Sequence, residues 1–96
     1  MKWPQATPLK YVYALRSKAG EVRYVGLTRS PNQRLRTHSW PLTPLGIWVR
    51  SESPDLIVLE AVGVTRKPGR RERHWIEHYR SAGADLFNIW PRQGAA

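Results

Sequence analysis

The sequence predicts an α+β domain, a small three-stranded antiparallel sheet flanked by helices in the order β-β-α-α-β-α. Three observations predict it. Two short runs of strand formers lie either side of a turn, giving a hairpin. Two Ser/Thr-Pro pairs each announce a helix. A continuous apolar run then precedes a last amphipathic segment. The length agrees, because 96 residues are enough for one compact domain and not two.

The elements follow in order. Residues 1–8 contain two Pro and read as a leader. Tyr11-Val12-Tyr13-Ala14-Leu15 is rich in strand formers, Ser17-Lys18-Ala19-Gly20 reads as a turn, and residues 22–27 make the return strand. A turn centred between Lys18 and Ala19 sets Tyr13 directly opposite Tyr24, on one face of the sheet. Ser30-Pro31-Asn32-Gln33 has the form of a capping box with Pro at the first helical position, so a helix is expected from Pro31 to about Ser39. Thr43-Pro44 repeats the signal and opens a short helix through Leu45, Ile47, Trp48 and Val49. The run at 56–62, apolar but for Glu60, reads as a buried central strand. After Lys67-Pro68-Gly69 a helix is expected over about 70–81, with Gly83 just beyond its end. The tail from Asp85 is short and contains Pro.

Composition bounds the function. Sixteen Lys and Arg face seven Asp and Glu, for a net charge of +9, and twelve of the sixteen are Arg. The guanidinium fork matches phosphate oxygens, so nucleic acid is the expected partner. With no Cys, disulfides and thiolate metal sites are excluded. No apolar run approaches the roughly 20 residues of a spanning helix, and Met1-Lys2-Trp3-Pro4 lacks a signal peptide's apolar segment. A cytoplasmic protein with no membrane partner is expected.

Several residues fit poorly with structure alone. Tyr13 and Tyr24 place two phenols side by side, which an ordinary aromatic pair would also explain. Arg34 and His38 are four apart and share one helix face. Glu72 precedes Trp75 and Ile76 by three and four residues, so it falls on or beside the apolar stripe of the last helix. A carboxylate there either binds a metal or is a first-turn acid held by the helix dipole and paired with Arg70, Arg71 or Arg73; both readings stand. His74 and His78 have no third zinc ligand and belong on the solvated side of that helix.

Taken together these motifs resemble the GIY-YIG nuclease family over most of the chain. Tyr11-Val12-Tyr13 matches the first tripeptide, with Tyr in place of the usual first Gly. Tyr24-Val25-Gly26 matches the second, Arg34 and His38 the following helix, Arg71-Glu72-Arg73-His74-Trp75-Ile76 the acid helix, and Phe87-Asn88-Ile89 the closing Asn segment. The resemblance implies a stand-alone catalytic domain over 1–96, with its core at about 9–90. It also implies a metal-dependent endonuclease that hydrolyses phosphodiester bonds, in DNA ahead of RNA. Its implied catalytic set is Tyr13, Tyr24, Arg34, His38, Glu72 and Asn88. Glu72 would ligate one Mg²⁺ or Mn²⁺, which suits a single protein ligand with retained waters. Arg34 would stabilise transition-state charge but cannot act as base, since its pKa exceeds about 12. Tyr13 and His38 are the candidates to activate water, and the resemblance favours Tyr13 as base or water-positioner, with His38 aiding proton transfer or phosphate contact. An unperturbed Tyr is phenolate only about one part in a thousand at pH 7, whereas His needs no tuning. Asn88 is expected to orient the site. Arg23, Arg29, Arg36, Arg70 and Arg71 are the expected nucleic-acid contacts. A domain this small covers little of a duplex, so sequence specificity would call for a homodimer or a targeting partner. Two rivals remain: a non-catalytic basic nucleic-acid-binding module, and a partner-binding domain using Trp3, Trp40, Trp48 and Trp90.

Overall fold

The computed structural model describes residues 9–38, 43–63 and 67–88. The expected leader, the tail beyond Asn88, and Trp3, Trp40 and Trp90 lie outside the described residues. The elements are β1 (Leu9–Arg16), β2 (Val22–Thr28), α1 (Pro31–His38), α2 (Pro44–Glu52), β3 (Asp55–Gly63) and α3 (Pro68–Ser81). They form one antiparallel sheet ordered β2-β1-β3, as the sequence predicts for the class and element order.

The position of the central strand differs from expectation. β1 is central, and the apolar run at 56–62 forms an edge. Val12, Tyr13, Ala14 and Leu15 are fully buried, whereas Val58 of β3 is 52% exposed. A continuous apolar run shows that both faces of a strand meet something, but it does not say which strand has two neighbours. Val12 and Ala14 pack with Val25, Val62 and Ile76 of α3 on one face. Tyr13 and Leu15 pack with Val49 of α2 on the other, with Tyr24, Leu45 and Trp48 against them. Alternation along β1 therefore feeds two half-cores, and the side chain of Tyr13 belongs to the α2 side.

The hairpin register also differs. Tyr13 pairs with Gly26, and Leu15 pairs with Tyr24. The turn closes Ser17 against Glu21 and so centres on Ala19, half a residue later than expected, with Gly20 at φ of 91°, a left-handed conformation that costs Gly little. A bulge that leaves Arg23 unpaired between the Leu15–Tyr24 and Arg16–Val22 pairs supplies the rest of the shift. The Ser17 carbonyl accepts from Gly20 N–H at 2.9 Å, and the Ser17 hydroxyl accepts from Glu21 N–H at 3.1 Å. Turn and bulge together change each pairing from Leu15 outward by two positions, so Tyr13 and Tyr24 stay on one face as diagonal neighbours.

The helix starts obey local chemistry in one case and not in the other two. Thr43 caps α2, its hydroxyl accepting from Gly46 N–H at 2.9 Å, with Pro44 following. At α1 the reciprocal half of the capping box is absent. Ser30 N–H donates to Thr28 Oγ1 at 3.0 Å, in the place Gln33 would fill, while Ser30 C=O accepts from Arg34 N–H at 3.0 Å. α3 begins at Pro68, earlier than expected, and has no acid in its first turn.

An ion-paired cluster ties α3 to β3. Arg71 Nε and Nη2 donate to both Glu60 oxygens at 2.9 to 3.1 Å, and Trp75 Nε1 donates to Glu60 Oε1 at 3.0 Å. The Arg71 bonds, and then that of Trp75, hold the Glu60 carboxyl below the usual carboxylate range. A depressed acid contributes stability above its unfolded pKa and loses it as pH falls through the lower folded value. Acid unfolding of Glu60→Gln, followed by circular dichroism, should therefore show a weaker loss of stability below about pH 4.3 than the parent. At pH 7 the variant should be less stable by about 1 kcal/mol. Identical acid limbs would remove Glu60 from the account.

Candidate active site

The site is built around Tyr13, because β1 presents it inward at the centre of the sheet. Gly26, its partner on β2, has no side chain, and the phenol ring lies over it. A Cβ added to Gly26 would stand 2.5 Å from Tyr13 Cζ and 2.8 Å from Cε1. The glycine of the second tripeptide thus makes room for the tyrosine of the first. Gly26→Ala should cost about 1 to 3 kcal/mol through overpacking and should displace the Tyr13 hydroxyl. Thermal unfolding would check the first effect and cleavage rate the second; an unchanged melting temperature would disprove the contact.

The Tyr13 and Tyr24 rings are 6.2 Å apart and tilted by 46°. Arg34, from α1, donates a hydrogen bond to the Tyr13 hydroxyl, and the Tyr13 O–H donates to Tyr24. Burial pushes the Tyr13 phenol well above its ordinary range, outweighing the opposing effect of Arg34. Burial raises Tyr24 as well, against the field of Arg34. The Arg34 guanidinium is raised in turn, first by its bond to Tyr13. The chain Arg34–Tyr13–Tyr24 is therefore a neutral-phenol relay that orients a permanent cation.

Glu72 comes to the same place from α3, and its charge is felt by Tyr13, Tyr24 and Arg34. The two readings left open for this acid now separate. α3 starts at Pro68, so Glu72 is its fifth residue and lies past the turn where the dipole acts. Two of the neighbouring guanidinium groups also have other acid partners. Arg71 clasps Glu60, and Arg73 pairs with Glu77 at 3.5 Å. Among the described residues the half-buried Glu72 carboxylate makes no hydrogen bond or ion pair. Burial raises its pKa, opposed by Arg34 and then by Lys10. It lines an open depression of about 350 Å³ with Gly69, Arg70 and Arg73.

Asn88 holds the site from outside. Its Oδ1 accepts from Val25 N–H at 2.9 Å, and its Nδ2 donates to Val25 C=O at 2.6 Å. Both ends of the amide are spent on the residue between Tyr24 and Gly26, so Asn88 acts as a one-residue extension of the sheet edge. Phe87 N–H extends the same pairing to Arg23 C=O at 2.7 Å.

The expected nucleic-acid contacts divide. Arg29 and Arg70 are exposed. Arg71 is held by Glu60. Arg23 donates to Asp85 C=O at 2.6 Å and lies 4.3 Å from the centre of the Phe87 ring. The side chains of Arg36 and His38 lie outside the described residues, although both positions belong to α1. His74 and His78 are exposed, as expected. Sequence reasoning missed Lys10 as a neighbour of Glu72, since no local pattern links β1 to α3.

The GIY-YIG catalytic domain family matches residues 9–85. The chain belongs to the GIY-YIG family. It is accordingly an endonuclease domain, a hydrolase whose substrate is nucleic acid. No curated protein and no solved structure matches it. Within the GIY-YIG framework the tripeptides are the middle of β1 and the middle of β2. The departure at Tyr11 leaves β1 paired on both sides, to Thr28 and to Ala61. No helix among the described residues is long and apolar enough to cross a membrane.

Proposed function

We propose that this domain hydrolyses phosphodiester bonds in DNA with one Mg²⁺ or Mn²⁺ held by Glu72. The observation that carries this reading is the convergence of Tyr13, Tyr24, Arg34 and Glu72 from four different elements. The donor set fits such an ion. No group of three or more His, Asp or Glu side chains able to hold a metal exists among the described residues. A lone, accessible carboxylate suits a hard cation that keeps most of its waters, and does not suit a zinc cage. When bound, the ion would neutralise phosphate charge and favour departure of the 3′ oxygen.

The other roles follow from what each side chain can do. Arg34 is exposed enough to reach a phosphate, and one of its donors is anchored by Tyr13. Its planar guanidinium fork suits the phosphoryl oxygens, where charge builds in the transition state. Tyr13 and Tyr24 position Arg34. Burial disfavours the Tyr13 phenolate, so proton removal from the attacking water falls to His38, one helical turn after Arg34. Asn88 keeps Val25 in register. Arg29 and Arg70 bind flanking phosphates. The domain works in the cytoplasm, and a second copy or a partner protein supplies targeting.

The test is a panel of duplex, branched, flapped and single-stranded DNA and RNA with Mg²⁺, Mn²⁺ or a chelator. Cutting that needs the ion and is abolished by the chelator is expected, with DNA cut ahead of RNA. Salt-sensitive binding with no cutting of any substrate would overturn the proposal.

A further inference from the structure

Tyr11 stands where the family carries glycine, and the structure gives its ring a surrounding. A depression of about 520 Å³ is lined by Tyr11, Val58, Arg29, Asn32 and Gln33, together with the start of α1. Tyr11 is two residues from Tyr13 along β1, so both project from the same face, about 6 to 7 Å apart. Val58 pairs with Tyr13 and shares that face. It is 52% exposed, an aliphatic surface left uncovered beside a half-buried aromatic ring. None of the described residues lining the depression is acidic, and exposed Arg29 stands at it. Arg34 bonds to Tyr13, which shares a face of β1 with Tyr11, so the depression lies on the same side of the sheet as that guanidinium.

We infer that Tyr11, Val58 and Arg29 form a subsite for an unpaired nucleotide beside the scissile phosphate, its base on the Tyr11 ring and its phosphate on Arg29. The chemistry decides the class of ligand. An aromatic face next to an aliphatic one takes the face of a base, and the amides of Asn32 and Gln33 can meet its polar edge. In an intact duplex the base faces are covered by stacking and only the edges are open. A site of this kind therefore selects DNA with an unpaired nucleotide next to the cut, as in a flap, a gap or a branch. The spacing of Tyr11 from Tyr13 sets that nucleotide within one or two positions of the phosphate at Arg34. This inference rests on the placement of the scissile phosphate at Arg34.

The test is binding of flapped DNA carrying 2-aminopurine at the first unpaired position, read by fluorescence in chelator so that no cutting is required. Quenching is expected for the parent chain and for Tyr11→Phe. Tyr11→Ala should lose the quenching and bind the flap roughly ten-fold more weakly, while its affinity for an abasic flap stays at the parent value. Tyr11→Leu keeps the apolar bulk and should behave like Tyr11→Ala, which guards against loss of fold. Arg29→Ala should weaken both flaps equally and lower the salt dependence. Equal losses on the base-containing and abasic flaps with Tyr11→Leu, or no loss on either, would overturn the subsite. Failure of the Arg34 placement would show instead as cleavage indifferent to Arg34 with the quenching intact.

Discussion

Glu72→Gln should lower metal-dependent cleavage by roughly a thousand-fold while leaving fold and nucleic-acid binding in place. The factor corresponds to about 4 kcal/mol, the scale of a Lewis-acid contribution to transition-state charge. Gln keeps the size and hydrogen-bonding capacity of Glu and removes only the charge. The sign of the stability change separates this residue from a structural acid. Burial raises the Glu72 pKa in the folded protein. A carboxyl raised on folding favours the folded state while protonated, and its ionisation at higher pH works against stability. The neutral variant should therefore melt at the parent temperature or slightly above it at pH 7, and its stability should vary less above pH 4.3. Cleavage rate, melting temperature and DNA affinity, measured together, check the claim. Full activity in the variant would remove Glu72 from the site, and a large drop in melting temperature would make it structural.

Arg34→Ala should cost about a hundred- to a thousand-fold in kcat, the range for removing one fixed donor from a charge that develops in the transition state. The loss should fall on kcat with KM little changed, because the interaction strengthens as charge builds. Arg34→Lys should recover little. The Arg34 guanidinium donates to Tyr13 and has further donors for phosphate. A Lys ammonium lacks the planar fork that meets both. Tyr13→Phe should produce a smaller fall, since it removes the anchor and leaves the cation. A rise in KM at constant kcat would assign Arg34 to ground-state binding alone.

The two tripeptides, the Arg34 position and the acid helix were legible because each is a local pattern: alternation on a strand, a Ser-Pro helix start, an apolar stripe with an acid at its edge. The exact hairpin pairing was less legible. The turn centres on Ala19, which alone would put Tyr13 and Tyr24 on opposite faces, and the bulge at Arg23, which no local pattern announces, returns them to one face. That compensation is why the two phenols could be placed together from a slightly wrong register. The apolar run at 56–62 was misplaced as central because β1 and β3 look alike in one dimension. Arg23 and Arg71 read as surface phosphate contacts because charge density alone does not show which cations already have an acid.

The sequence by itself therefore determined the strand and helix order, the basic character and the identity of the groups around Tyr13. Tertiary structure decided which charges are available. Glu60 reaches Arg71 and Trp75 because β3 lies beneath α3, across eleven and fifteen residues of chain. With Arg71 held there and Arg73 paired with Glu77, the Glu72 carboxylate is left accessible beside Arg34. Hydrophobic periodicity is set by neighbours three or four positions away, so it can be read along the chain. Ion pairing depends on distances of a few ångströms between separate elements, and only their packing sets those distances.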